Sequence, residues 1–385
     1  MKRHLYTSDH EDFRKVVREF VDRELVGNLE RWEEDRLVPR EVWRAAGEQG
    51  VIGLSAPEEL GGAGVLRDYR FRNVLIEEFS KVFATSVAAG FSLQDDITIP
   101  YITELGNEEQ KQRWLPRMVT GEIIGAIAMT EPGTGSDLRG ITTSGRKVDG
   151  GWVVNGSKTF ITNGIQSDIV ITVVRTSSEG GSNAFSLLVV EKDMEGFSRG
   201  RKLKKVGLHG QDTAELVYED VFVPEENLLG SLGGGLNQLR SLLPLERLSI
   251  AASSIASATA VFESTVEYTN ERKAFGQPIA DFQNSRFELA DMATQLDVTR
   301  AFVDQAILAY NDGDLSVVDA AKAKLWASEV QNRVIDRCLQ LHGGYGYMLE
   351  YPVGRAFQDA RINRIFGGAN EIMKEIIGRD VVGRR

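Results

Sequence analysis

Apolar positions along this chain change period twice. Over residues 8–25, Phe13, Val16, Val17, Phe20, Val21 and Leu25 recur on one face of a helical spiral, behind a Ser-Asp pair placed where a helix would be capped. Gly61-Gly62-Ala63-Gly64 breaks the pattern, and helix-rich text resumes over 69–119. Between about residues 124 and 230 the period shortens to β-branched and aromatic runs at 152–154, 169–174, 185–190 and 216–223. Asp149-Gly150-Gly151, Asn155-Gly156, Asn163-Gly164 and Gly180-Gly181 separate them as hairpin turns would. After Gly233-Gly234-Gly235 the text predicts long helices over 239–272, 283–312 and 317–341 and a last one over 370–382. Ala251, Ala252, Ile255, Ala258 and Ala260 make a narrow face suited to close helix packing. The expected fold is α+β: an all-α domain over 1–123, a small antiparallel β domain over 124–232, and a four-helix bundle over 233–385.

Composition narrows the function. At 385 residues the chain is too long for a small binding module, and 42% apolar with 26% charged residues is ordinary globular text. Asp and Glu number 56 against 45 Lys and Arg, a net charge of −11, so the overall field repels nucleic acid and anionic membranes. Cys338 is the lone cysteine, and His4, His10, His209 and His342 show no ligand spacing. Neither a disulfide nor a metal site is expected. The N-terminal text is charged and helical, with no apolar leader and no stretch of membrane-spanning length. A reducing, cytoplasmic location is therefore expected.

Four phrases carry candidate chemistry. Ala128-Met129-Thr130-Glu131-Pro132-Gly133-Thr134-Gly135-Ser136-Asp137 forces a turn with exposed amides and hydroxyls, and Phe160-Ile161-Thr162-Asn163-Gly164 ends a strand on an aromatic residue. Glu271-Arg272-Lys273-Ala274-Phe275-Gly276-Gln277-Pro278-Ile279, followed by Gln283, offers a guanidinium suited to phosphate oxygens. Gln340-Leu341-His342-Gly343-Gly344-Tyr345-Gly346 leaves backbone open to close approach, but no strand precedes it, so it is not a Rossmann turn. Taken singly, each reads equally well as a turn or a helix end.

Together, in this order and over essentially the whole chain, they resemble the acyl-CoA dehydrogenase family of flavoproteins. The first phrase matches T-E-P-x-x-G-S-D, the second W-I-T-N-G with Phe for Trp, the third E-R-x-x-F-G-x-x-[IL], and the fourth Q-x-x-G-G-x-G. The resemblance implies FAD as cofactor. Its contacts would be Met129, Thr130, Gly135 and Ser136; Phe160, Ile161 and Thr162; Arg272, Phe275 and Gln283; Gln340, Leu341, Gly343 and Gly344; and Ala369, Asn370 and Glu371. The adenine half would be received across a subunit interface, in a homotetramer.

The family's chemistry takes a proton from the carbon α to a thioester carbonyl while a hydride leaves the β-carbon for the flavin. One carboxylate is needed. In most members it precedes the last helix, where this chain reads Ile365-Phe366-Gly367-Gly368-Ala369-Asn370-Glu371, and Gly367 can supply only a backbone N–H to the enolate oxygen. The long-chain and isovaleryl branches instead carry the base in an L-x-x-E-R setting, matched by Leu243-Pro244-Leu245-Glu246-Arg247-Leu248. Glu246 is the expected base. It is the lone carboxylate from Arg240 to Phe262, set among leucines, so burial should raise its pKa toward neutrality while Arg247 opposes. Ser136, Leu243, Pro244, Arg247, Gly367 and Gly368 are the expected substrate contacts.

The implied function is oxidation of an acyl-CoA to trans-2-enoyl-CoA, with an electron-transfer flavoprotein as acceptor. An acyl-CoA oxidase or a catalytically silent FAD-binding scaffold are the alternatives. Rival acids include Glu219-Asp220 and Glu225-Glu226, expected in solvated turns, and Asp95-Asp96, which would either narrow an acyl tunnel or face water.

Overall fold

The computed structural model describes residues 3–178 and 181–383, so Gly180 of the Gly180-Gly181 spacer lies outside the described residues. Seven helices come first: α1 (Ser8–Phe20), α2 (Leu29–Asp35), α3 (Arg40–Gln49), α4 (Tyr69–Lys81), α5 (Thr85–Ser92), α6 (Ile99–Leu105) and α7 (Glu108–Val119). The helix expected over 8–25 is regular only to Phe20 and continues as a wide π turn, Val21–Leu25. A second π turn, Leu93–Thr98, joins α5 to α6. Such turns insert a residue into the spiral and re-aim whatever follows.

The middle of the chain forms β1 (Gly125–Ala128), β2 (Ser144–Val148), β3 (Gly151–Thr162), β4 (Ile169–Arg175), β5 (Phe185–Glu191), β6 (Phe197–Lys202), β7 (Thr213–Pro224) and β8 (Leu228–Leu229). They lie in the order β6-β7-β3-β2-β4-β5-β8, with β1 beside β4. The sequential hairpins are antiparallel as expected, but β1 runs parallel to β4, and β2 meets β4 in parallel at Ser144 and Arg175, so the sheet is mixed. Turn residues report only neighbours in sequence. They are silent about β1, whose partner lies beyond two intervening strands.

Next comes α8 (Gly235–Glu271), whose 37 residues begin earlier than the apolar pattern indicated and carry Pro244 inside. A two-residue hairpin, β9 (Lys273–Ala274) and β10 (Gln277–Pro278), leads to α9 (Gln283–Asn311), α10 (Val317–His342), α11 (Pro352–Ala360) and α12 (Asn370–Val381). Helix α10 is the hub, packed on α8, α9, α11 and α12, while α8 also packs on α4. The core therefore crosses domain boundaries: Tyr69 and Ile76 of α4 share one buried cluster with Leu245, Leu248 and Ala251 of α8. Among the described residues no helix is long and apolar enough to cross a membrane, and no group of His, Cys, Asp and Glu could hold a metal ion.

Candidate active site

Glu246 sits on the buried face of α8 with 4% of its surface exposed, between Leu245 and Leu248. The hydroxyl of Tyr101, on α6, donates to its Oε1 at 2.9 Å. Burial pushes the carboxyl up from 4.5 to about 7, against the Tyr101 hydrogen bond and the positive charge of Arg247. Arg247 is equally buried, and its Nε and Nη1 have no hydrogen-bond partner among the described residues. Two desolvated donors left open beside a carboxylate are where a ligand's carbonyl or anionic oxygen would be satisfied. Leu243 and Pro244 are half-buried on the preceding turn. Pro244 and Leu245 line a cavity of about 180 Å³ with Leu66, Arg67, Glu104 and Tyr310.

The loop before α12 meets α8 one turn beyond Glu246. Gly367 and Gly368 have φ of +62° and +92°, and a Cβ on Gly367 would lie 2.2 Å from Ile250 Cδ1. A side chain at position 367 would have to adopt a strained left-handed backbone and push the tip of Ile250 aside. Lys324 of α10, fully buried, donates to Gly368 O and Asn370 Oδ1, both at 2.8 Å, and so ties this loop to the bundle. Burial lowers its pKa to about 8, helped by repulsion from Arg247. Asn370 is fully engaged within the chain, by Lys324, Ser328 and Glu329, whereas Ala369 is half-buried and Glu371 exposed.

A second surface is assembled from the β domain. Phe160 has φ +60° and is 69% exposed, where the β3–β7 register slips between Lys158 and Ile161. A positive φ on a phenylalanine is strained, and the bulge turns its ring out of the sheet while Ile161 stays buried and Thr162 half-buried. The adjoining loop is held by a buried pair. Glu131 accepts from Lys158 Nζ (2.9 Å), Thr143 N (2.9 Å), and Thr142 N and Oγ1 (2.8 and 2.7 Å). Despite burial, these bonds hold Glu131 down to about 2, and desolvation lowers Lys158 to about 8. Thr159 N donates to Thr130 O at 2.9 Å, and Lys158 Nζ to Met129 O at 3.0 Å, clamping the loop to β3. Gly135 and Ser136 at its tip are exposed.

A third element lies at the far end of α8. The Arg272 guanidinium stands 5.3 Å from the Tyr345 ring centre, bringing the third and fourth phrases together. Phe275 is 98% exposed, and Gln283, Gln340, Gly343 and Gly344 are exposed as well, with Leu341 half-buried.

This architecture and these phrases match known proteins along the whole chain. Family models described as the N-terminal, middle and C-terminal domains of acyl-CoA dehydrogenase match residues 7–122, 126–221 and 233–382. The chain belongs to the acyl-CoA dehydrogenase family. It is 46% identical to the mitochondrial long-chain specific acyl-CoA dehydrogenase of Sus scrofa over 382 residues, covering 99% of this chain and 88% of that one. Identity to the mitochondrial isovaleryl-CoA dehydrogenase of Oryza sativa subsp. japonica is 36%, over 98% and 92%. The crystal structure of acyl-CoA dehydrogenase from Geobacillus kaustophilus superposes with a TM-score of 0.96 at 43% identity, over 99% and 100% of the two chains. An acyl-CoA dehydrogenase from Bacillus anthracis, solved complexed with FAD, superposes with a TM-score of 0.90 at 32% identity, over 98% and 68%.

Acyl-CoA dehydrogenases are oxidoreductases, and a flavin is the cofactor of this fold. The residues here suit one: an outward aromatic platform at Phe160, free backbone around Gly133 and Gly135, and an exposed guanidinium at Arg272 match a flat ring bearing a pyrophosphate. Of the rival acids, Glu219, Asp220, Glu225 and Glu226 are solvent-exposed as expected. Asp95 and Asp96 do not face water. Both are buried, and Arg72 binds Asp96 at 2.9 Å, while Ser249 Oγ donates to Asp96 at 2.6 Å and Gly53 N to Asp95 at 3.1 Å. Burial raises Asp95 to about 6 against the pull of Arg72. They are internal fasteners between the π turn, α4 and α8. Tyr101, Lys158 and Lys324 were not singled out in the sequence, where a lone Tyr or Lys in a helix or strand carries no signal.

Proposed function

We propose that this chain is an FAD-dependent acyl-CoA dehydrogenase that converts a saturated acyl-CoA to the trans-2-enoyl-CoA, with Glu246 as the base. The bound flavin supplies the acceptor for the β-hydride. The rest falls to this chain's own groups. Glu246, buried and poised near neutrality, takes the α-proton; desolvation gives its carboxylate the proton affinity the task needs. The amide of Gly367, on the loop tied down by Lys324, donates to the thioester oxygen as charge collects there. Arg247 offers its open donors to the ligand's oxygens. The observation that carries this reading is the meeting of a lone buried acid on α8 with a loop that carries glycine, and so no rival carboxylate, at position 367.

Ser136, Leu243, Pro244 and Gly368 are the further substrate contacts of this reading. The 46% identity to a long-chain specific relative favours long acyl groups. An electron-transfer flavoprotein is the acceptor, and the assembly is a homotetramer, supported by apolar side chains left open on the bundle: Phe287, Val298, Phe302 and Trp326. Anaerobic addition of butyryl-, octanoyl-, palmitoyl- and isovaleryl-CoA should bleach the flavin spectrum, most rapidly with palmitoyl-CoA. No bleaching with any thioester would leave a silent flavin-binding scaffold, and oxygen uptake without added acceptor would make the protein an oxidase. Sedimentation gives the assembly state.

A further inference from the structure

The geometry points to Tyr101 as a positioning residue that orients the Glu246 carboxylate and keeps it ionised for proton abstraction. This rests on the reading of Glu246 as base and goes beyond it, because neither the family phrases nor the α8 text involves Tyr101.

Tyr101 is fully buried and lies 145 residues from Glu246 in sequence, yet its hydroxyl donates to Oε1 at 2.9 Å. Among the described residues Oε2 accepts no hydrogen bond, so one oxygen is held and the other is free to receive a proton. The donor is permanent: burial and the charge on Glu246 keep the phenol well above its ordinary pKa, so it stays protonated throughout the working range. A hydrogen bond to a carboxylate favours the ionised form, opposing the burial that raises it.

Its placement is enforced from both sides. The π turn Leu93–Thr98 immediately precedes α6, and one inserted residue rotates the downstream face by about 100°. That turn is anchored by Arg72 on Asp96 and by Ser249 Oγ on Asp96 at 2.6 Å, and Ser249 lies one turn past Glu246. The same helix face is thus gripped at two successive levels, one grip structural and the other on the base. The groups facing Glu246 are the neutral phenol of Tyr101 from α6 and the charged Arg247 from its own helix; Lys324 of α10 bears on Arg247, while Arg72 pairs with both Asp95 and Asp96 beside Ser249.

Tyr101→Phe keeps the ring and deletes the donor. In the flavin-loaded protein, the rate of anaerobic bleaching by palmitoyl-CoA would be followed from about pH 5.5 to about pH 9 beside wild type and Glu246→Gln. Should another thioester of the panel reduce wild type faster, that one replaces it. The expected result is an acid limb displaced to higher pH by about one unit. The rate should fall about ten-fold near pH 6 and recover toward wild type above about pH 8, with half-saturation changed less than about two-fold. An unmoved midpoint, or an equal loss at every pH, would overturn the inference while leaving Glu246 as base. Bleaching that persists in Glu246→Gln would remove both.

Discussion

Two buried glutamates in this protein have opposite fates. Glu131 and Glu246 are 5% and 4% exposed, yet one is held down to about 2 and the other raised to about 7. Burial penalises both charges. The difference is in the partners: Glu131 receives four hydrogen bonds, one from the buried ammonium of Lys158, whereas Glu246 receives one, from a neutral phenol. A saturated carboxylate is a clamp with no lone pair left over, and an under-bonded one keeps an oxygen and a proton affinity to use. Burial alone leaves a carboxyl's proton affinity undecided; the hydrogen bonds it receives decide it.

The largest break in this comparison should come from Glu246→Gln. It should retain flavin and fold but lose acyl-CoA-dependent bleaching by about a thousand-fold, measured by anaerobic stopped-flow, within the usual range for losing a general base. Removing the clamp instead attacks stability. Lys158→Met strands Glu131 without its cation and should cost about 3 kcal/mol in denaturant unfolding, loosening the loop that carries Thr130 and Ser136.

Their pH dependences should run in opposite directions. The raised pKa of Glu246 means its contribution is fully present below about 4.5 and is lost as pH climbs through about 7, so Glu246→Gln should be more stable than wild type near pH 8, on the order of 2 kcal/mol. The depressed pKa of Glu131 means its contribution is present above 4.5 and disappears as pH falls toward about 2, so Glu131→Gln should flatten the acid side of the profile. Thermal unfolding against pH reads both. The smallest effect belongs to a surface control. Glu225, exposed and paired with Lys147, should cost no more than about 0.5 kcal/mol as Glu225→Ala, and less at high salt.

Much of this was legible in the chain. The two changes of apolar period placed the helical, β and helical regions, and the long helices 283–312 and 317–341 lie within a residue of α9 and α10. Local patterns capture local structure, because a helix or hairpin is specified by residues a few positions apart. They failed at the β1–β4 pairing and at the two π turns, where a distant partner or an inserted residue decides.

The same division holds for the candidate site. Residue types and spacing were enough to single out Glu246 as the candidate base, to exclude position 367 as a carboxylate, and to collect the four family phrases. What only the folded chain decided is which distant partner each group meets: Tyr101 on Glu246, Lys158 on Glu131, Lys324 on the Gly368 loop, and Arg72 on Asp96. These partners come together from 24 to 145 residues apart. A pKa depends on what lies within a few ångströms, and no periodicity in a sequence records which distant side chain will arrive there.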